Sequence, residues 1–317
     1  MSGLTLKQLR YFEALAQHRH FGRAAEACAI SQPALSLQIK ELEGMFGAPL
    51  VERGPRQVRL TAVGEDFIRK ARQILLAVDE LEDMVRASSG PLAGRLRLGI
   101  IPTVAPYLLP QIIAALAERF PKLELELREA VTRALIGDLL EARLDLAIVA
   151  LPISEPALRE FALFEEDFVL VRHASDADKP VPSPGRLHSM RLLLLEEGHC
   201  FRDQALSFCQ AAEASPADAQ PRRLMEGSSL STLVQMVGAG MGVTLIPEMA
   251  LPLEARAADI DLARFPAPSP SRTVGMVWRN TNPLSDQLMQ IGAILRAVGH
   301  QQRPPPAPAE VARPGQS

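Results

Sequence analysis

Phe21-Gly22-Arg23-Ala24-Ala25-Glu26-Ala27-Cys28, a break at Ala29 to Ser31, and then Gln32-Pro33-Ala34-Leu35-Ser36-Leu37-Gln38-Ile39-Lys40-Glu41-Leu42-Glu43 decide the fold of the N-terminal part. The first segment is rich in alanine, and small side chains let two helices cross closely. In the second segment Leu35, Ile39, Leu42 and Phe46 fall in one narrow helical stripe, while Pro33, Ser36, Leu37 and Lys40 face the other way. Ser31 suits the N-cap of that helix and Pro33 its first turn. Two helices joined by so short a turn, the second with one polar face, predict a helix-turn-helix.

Working outward, Leu9, Phe12 and Ala16 place a further helix before the motif. After it, Leu50 to Leu60 reads as two short strands around Arg53-Gly54-Pro55-Arg56, a basic wing. Thr61 is the expected N-cap of a long helix reaching about Ser88. Its apolar positions Phe67, Ala71, Ile74, Val78, Leu81 and Val85 recur at alternating steps of four and three, a coiled-coil seam that calls for a second copy. Ser88-Ser89-Gly90-Pro91 breaks that helix. Beyond it, strand-like and helix-like segments alternate from Arg95 to Ala150. Further strands are expected at 168–172, 192–195, 242–246 and 273–278, with helices near 204–212 and 230–238. Alternation of this kind predicts parallel sheet covered by helices, here two sheets with a cleft between them. The expected fold class is therefore α/β. A winged helix-turn-helix occupies residues 1–61, a linker and dimerisation helix 62–90, a two-lobed regulatory domain 91–302, and a disordered, proline-rich tail 303–317.

The composition fits a packed globular chain. Of 317 residues, 47% are hydrophobic and 22% charged, which excludes general disorder. No stretch is long and apolar enough to cross a membrane, and the N-terminus lacks the apolar segment of a signal sequence, so a cytoplasmic location is expected. Residues 1–60 carry eight Lys/Arg against five Asp/Glu, leaving −6 for the remainder of a chain whose net charge is −3. A polyanion contact therefore belongs to the N-terminal part. Three cysteines are no disulfide scaffold in such a compartment, so any disulfide here would be functional. No Ser-His-Asp order, zinc-ligand spacing or phosphate loop suggests an enzyme, a metal or a cofactor.

Phe21 to Glu26, Ser31 to Ser36 and Gln38 to Glu43, continuing through Gly47, Leu50, Val51, Arg53 and Leu60-Thr61-Ala62-Val63-Gly64, resemble the reader of the LysR-type transcription regulators. The resemblance implies a winged helix-turn-helix, a dimerising linker helix and a two-lobed effector domain. It also implies promoter DNA and RNA polymerase as partners and a homodimer or homotetramer as the assembly. The second helix would then enter the major groove, where Gln32 and Ser36 hydrogen-bond base edges and Lys40 reaches a guanine or a phosphate. Arg23, Arg53 and Arg56 would grip phosphates, with Ser31 and Pro33 shaping the entry to the helix.

The cysteines fall into two settings. Cys28 sits among alanines and suits a buried structural position. Cys200 follows the apolar run Leu192 to Leu195 and the loop Glu196-Glu197-Gly198-His199, near the start of a helix that also holds Cys209. The helix dipole, His199 and Arg202 would each favour a thiolate. Residues nine apart in one helix lie about 13.5 Å apart along its axis. A disulfide needs Cα atoms about 4.4–6.8 Å apart, so Cys200 and Cys209 could join only if the segment between them refolds. By spacing alone, two inert core thiols remain the plainer account. Gly198-His199-Cys200, Arg202-Asp203-Gln204-Ala205 and Phe208-Cys209 resemble the redox segment of the peroxide-responsive members of the family. So do stretches at 101–104, 106–110, 129–132 and 272–275. That resemblance implies a peroxidatic Cys200 and a resolving Cys209. It places Thr103, Thr132, His199 and Arg272 around a hydrogen peroxide pocket, with glutaredoxin or thioredoxin as reductant. Two rivals stand beside this reading: a regulator closing on a small metabolite with inert cysteines, and a thiol peroxidase fused to a DNA reader.

Overall fold

A computed structural model describes residues 3–54, 58–87, 92–210, 225–256 and 258–301. The chain divides into two compact units, Met1–Gly90 and Pro91–Ser317.

The first unit holds α1 (Leu6–His18), α2 (Phe21–Ala27), α3 (Gln32–Phe46), the antiparallel pair β1 (Val51–Arg53) and β2 (Val58–Leu60), and α4 (Ala62–Ala87). Each helix start carries its own cap. Thr5 and Gln8 form a capping box on α1, and His20 Nδ1 accepts from Gly22 and Arg23 N–H on α2. Ser31 Oγ accepts from Ala34 N–H on α3, and Thr61 Oγ1 from Gly64 N–H on α4. Phe12, Leu15, Leu35, Ile39 and Leu42 are wholly buried in one core, closed by Leu50 of the wing. Gly64 is required because a Cβ there would collide with the Leu50 carbonyl.

Helix α4 departs from the expected seam in its first half. Ala71 is buried with Ile68 and Leu75 in the reader's own core, and Phe67 packs edge-on against Phe12 and Phe46. The assignment of Phe67 and Ala71 to a dimer seam is therefore corrected: the stripe first serves the intramolecular core. Farther along, Ile74 and Leu81 are exposed and Val78 is half-buried. The side chain of Val85 lies outside the described residues.

The second unit runs β3 (Gly94–Ile100), α5 (Ala105–Arg119), β4 (Leu123–Glu129), α6 (Thr132–Leu140), β5 (Leu146–Leu151), β6 (Leu158–His173), α7 (Pro184–Ser189) and β7 (Leu193–Leu195). It continues through α8 (Cys200–Gln210), β8 (Met225–Gly227), α9 (Leu230–Gly238), β9 (Thr244–Pro247), α10 (Leu251–Glu254), β10 (Ile260–Arg264), β11 (Ser271–Arg279) and α11 (Ser285–Gln301). Strand β3 lies parallel to β4 and β5, as alternation predicts. Its Leu96, Leu98 and Ile100 are fully buried, each contributing about 1.5–3 kcal/mol. Gly99 between them leaves room for Leu144 and Leu135, which a Cβ would meet at 2.7 and 2.9 Å.

The expectation of two separate parallel sheets is corrected. Among the described residues, a seven-stranded sheet of order β10-β6-β11-β5-β3-β4, with β9 also on β6, runs through both lobes, and β7 and β8 form a parallel pair beside it. Strands β6 and β11 join the lobes. Residues 158–167 of β6 pair antiparallel with β11, and residues 168–173 pair with β9 and β10. At the changeover Glu166 and Arg272 stand opposite one another across the two strands.

Candidate functional site

Cys200 is the first residue of α8, half-buried and without a disulfide. It sits at the helix end that stabilises negative charge. Gly198 adopts φ +97° in the loop before it, a left-handed backbone that favours glycine. A Cβ on Gly198 would lie 3.6 Å from Val131, so this loop rests against the start of α6. Cys209 belongs to the same continuous helix, which sets its Cα about 13.5 Å along the axis from that of Cys200. Its side chain lies outside the described residues.

Behind Cys200, Phe201 is buried and packs edge-on against Phe168 at 4.8 Å, with the Arg272 guanidinium 5.5 Å from its ring centroid. Arg272 is fully enclosed. Its Nε donates to Glu166 Oε1 at 2.8 Å, Nη1 to Thr103 Oγ1 at 2.8 Å, and Nη2 to the Thr103 carbonyl at 3.0 Å. Arg272 is thus an interior cation held by Glu166 and Thr103. Thr103 accepts from Arg272 through its hydroxyl oxygen and keeps its own hydrogen to donate. Thr132 opens α6, and its hydroxyl is buried with no hydrogen-bond partner among the described residues. Gln204, one turn beyond Cys200 on α8, likewise has a buried carbonyl oxygen without a partner. Two orphaned polar atoms, one at the start of α6 and one on the helix of Cys200 itself, fit a small ligand that donates and accepts hydrogen bonds.

The electrostatic expectation for this thiol is corrected in two respects. Burial pushes the His199 imidazole below its usual value, outweighing the opposing effect of Glu196, so His199 is neutral near pH 7. Arg202 turns to Glu226 and to the Leu195 carbonyl. The Arg272 guanidinium lies against the ring of Phe201, the residue next to Cys200.

Sequence reasoning overlooked Glu166 and Gln204. The signal for Gln204 was its i+4 spacing from Cys200. Glu166 lies in the part of β6 whose pattern does not alternate. Elsewhere in the second lobe Leu170, Arg172, Met190 and Val243 contribute to a cavity of about 260 Å3. Among the described residues no cluster of candidate metal ligands occurs, and no helix is long and apolar enough to cross a membrane.

In the first unit, Gln32, Ser36 and Lys40 succeed one another at i+4 along one side of α3, with Gln32 and Lys40 exposed and Ser36 half-buried. Arg23 and Pro33 are exposed beside them, and Leu37 is 56% exposed on the same helix. The Ser31 hydroxyl is engaged in its cap. Glu43 accepts from Leu50 and Val51 N–H at 2.9 and 3.1 Å, fixing the wing to α3. The backbone of Arg53 lies in β1, while its side chain, and Arg56 as a whole, fall outside the described residues. Cys28 caps the end of α2 half-buried, less enclosed than expected, and burial raises its thiol.

A winged helix-turn-helix followed by a two-lobed α/β domain is the layout of a ligand- or signal-responsive DNA-binding regulator. The chain belongs to the LysR family: residues 6–65 match the bacterial regulatory helix-turn-helix protein, lysR family, and residues 89–299 match the LysR substrate binding domain. It is similar to the DNA-binding transcriptional dual regulator OxyR of Escherichia coli K12, with 40% identity over 296 residues, covering 93% of this chain and 95% of that one. A probable hydrogen peroxide-inducible genes activator of Streptomyces viridosporus is also 40% identical over 296 residues, at 92% and 93% coverage. Among solved structures, a cysteine-to-aspartate variant of full-length Pseudomonas aeruginosa OxyR matches with TM-score 0.74 and 36% identity, over 93% of this chain and 96% of that one. A hydrogen-peroxide-bound cysteine-to-serine mutant of Corynebacterium glutamicum OxyR matches with TM-score 0.65 and 34% identity, over 94% and 93%.

Proposed function

We propose that this chain is a hydrogen-peroxide-sensing transcription regulator that binds promoter DNA as a homo-oligomer and is switched at Cys200. The observation that carries this reading is the setting of Cys200 at the head of α8, with the enclosed Arg272–Thr103 pair behind Phe201 and orphaned oxygens on Thr132, at the start of α6, and on Gln204, one turn along α8. The similarity to regulators named for hydrogen peroxide supports it.

The Cys200 thiolate attacks one peroxide oxygen. The O–O bond breaks, hydroxide leaves, and Cys200 becomes a sulfenic acid. The Cys209 thiolate then attacks that sulfur. The S–S bond forms as the S–O bond breaks, so two thiols are oxidised and one peroxide becomes two waters. Thr103, Thr132, His199 and Gln204 orient the peroxide, neutral His199 being able to accept or relay a proton. Because the two cysteines share one helix, the disulfide requires α8 to unwind. That refolding is the signal passed to the readers. Gln32 and Ser36 read bases, Lys40 reaches a phosphate, and Arg23, Arg53 and Arg56 hold further phosphates, with Ser31 and Pro33 setting the helix entry. The exposed Ile74 and Leu81 and the half-buried Val78 of α4, continued by Val85, pair two copies, and two pairs make the tetramer. RNA polymerase is the downstream partner, and glutaredoxin or thioredoxin the reductant.

The test is mass mapping of the reduced full-length protein after one equivalent of hydrogen peroxide. A linked Cys200–Cys209 peptide within seconds is expected. Two unmodified thiols would overturn the reading in favour of a metabolite-responsive regulator.

A further inference from the structure

A second buried polar cluster lies outside the peroxide pocket. Glu254 on α10 is 2% exposed, and among the described residues no cation pairs with it. Its Oε1 accepts from the Tyr107 hydroxyl at 2.7 Å and from the Ser231 hydroxyl at 2.8 Å. Tyr107 is on α5 in the first lobe, and Ser231 and Glu254 are on α9 and α10 in the second. Burial and the adjacent carboxylate push the Tyr107 phenol far up, so it stays a donor. Arg272 and Glu166 are near enough to act on it electrostatically.

Followed through the chain, these bonds close a ring. Arg272 holds Thr103, which lies just before α5, and Tyr107 follows one turn later. Tyr107 holds Glu254, and just upstream of α10 the Met249 N–H donates to Glu166 Oε2 at 3.2 Å. Glu166 returns to Arg272. Phe201, the neighbour of Cys200, closes one side of the ring by lying against Arg272. A buried network of this kind is stable when every member is satisfied and costly when one is left open.

Resting on the peroxide reading above, we propose that Tyr107 and Glu254 are positioning residues of the switch, forming the cross-lobe bond that holds the reduced state. With α8 wound and Phe201 seated, the ring is complete. When Cys209 attacks the Cys200 sulfenic sulfur, forming S–S and releasing hydroxide, α8 unwinds. Phe201 leaves Arg272, and the ring opens. The Tyr107–Glu254 bond therefore counts toward the reduced protein and is lost from the disulfide form. Its removal favours the disulfide without touching the attack on peroxide.

The experiment compares wild type, Tyr107→Phe, Glu254→Gln and Ser231→Ala as full-length proteins with circular dichroism confirming the fold. Two quantities are read: the oxidised fraction of the Cys200–Cys209 pair in glutathione buffers, and the rate of sulfenic acid formation with peroxide in a Cys209→Ser background. Tyr107→Phe is expected to shift the thiol–disulfide equilibrium toward the disulfide roughly tenfold, the typical scale for a buried hydrogen bond to a carboxylate. The sulfenic rate is expected to stay unchanged, and Glu254→Gln, which keeps an acceptor for the phenol, to stay close to the wild-type equilibrium. An unchanged equilibrium in a folded Tyr107→Phe protein would overturn the proposal, as would equal changes in both quantities. The equilibrium needs no peroxide, so a wild type inert to peroxide would instead overturn the functional reading beneath it.

Discussion

At Thr132 a hydroxyl is buried with no hydrogen-bond partner among the described residues, which separates function from stability at one residue. Replacing it by valine keeps the shape and discards an unsatisfied oxygen whose burial costs on the order of 1–3 kcal/mol, so Thr132→Val is expected to be as stable as wild type or more so. Its Cys200 should nevertheless oxidise several-fold more slowly, measured by stopped-flow with peroxide. Arg272 behaves in the opposite way. Arg272→Met strands Glu166 in the interior and should destabilise by about 3–5 kcal/mol in urea unfolding. His199 adds a pH signature. Its folded value is depressed by burial, while the unfolded imidazole titrates near 6.5. Its contribution to stability is then complete above about pH 6.5 and falls as pH drops from there toward the folded value. His199→Asn should flatten that part of the stability profile, which urea midpoints at successive pH values would record. The sequence pointed to Cys200, Thr103, Thr132 and Arg272 through resemblance and to α8 through its helical pattern. It could not reveal the partner of Arg272, because Glu166 meets it only through strand pairing 106 residues away.

Among the elements, α4 and β6 are where sequence and structure part. An apolar stripe at steps of three and four says that a helix has a buried face, not what buries it. In α4 the first half, with Ile68, Ala71 and Leu75, is covered by the reader itself, while Ile74 and Leu81 are left uncovered. Two substitutions separate these roles. Ile68→Ala should cost about 2–5 kcal/mol of reader stability. Leu81→Glu should leave the fold intact yet shift the sedimenting species toward monomer, because it charges an apolar position that the single chain leaves open. Strand β6 failed to announce itself for another reason. Leu158 to Asp167 mixes charges and apolar residues without alternation, since one stretch lies under α11 and against β11 while its end enters the lobe junction. Its antiparallel partner β11 made the sheet mixed rather than parallel. The helix-turn-helix was more legible, because the Ser31 cap, the apolar stripe and the turn are all local, although the His20 cap of α2 and the partial exposure of Cys28 were not foreseen.

For the whole molecule, the proposed switch is a coupling between a thiol pair in the second unit and a DNA surface in the first, and such a coupling is reciprocal. If disulfide formation changes operator affinity by some factor, operator DNA must change the thiol–disulfide equilibrium by that same factor. A tenfold change in affinity corresponds to about 30 mV in the midpoint of a two-electron couple. The prediction is therefore double: affinities of the reduced and oxidised proteins measured by anisotropy, and redox midpoints measured with and without saturating operator, must give one number. Lys40→Ala adds a control. It should lower affinity in both redox states alike and reduce the slope of log affinity against log salt by about 0.9, as the loss of one phosphate contact does. The midpoint shift should stay the same, because a uniform loss cancels in the ratio. A Lys40→Ala protein whose midpoint shift collapsed would place this side chain in the coupling itself. A wild type whose two measurements disagreed would mean that the oxidised protein on DNA is not at equilibrium with the reduced one, and that the signal passes by kinetics rather than by a shift between two states.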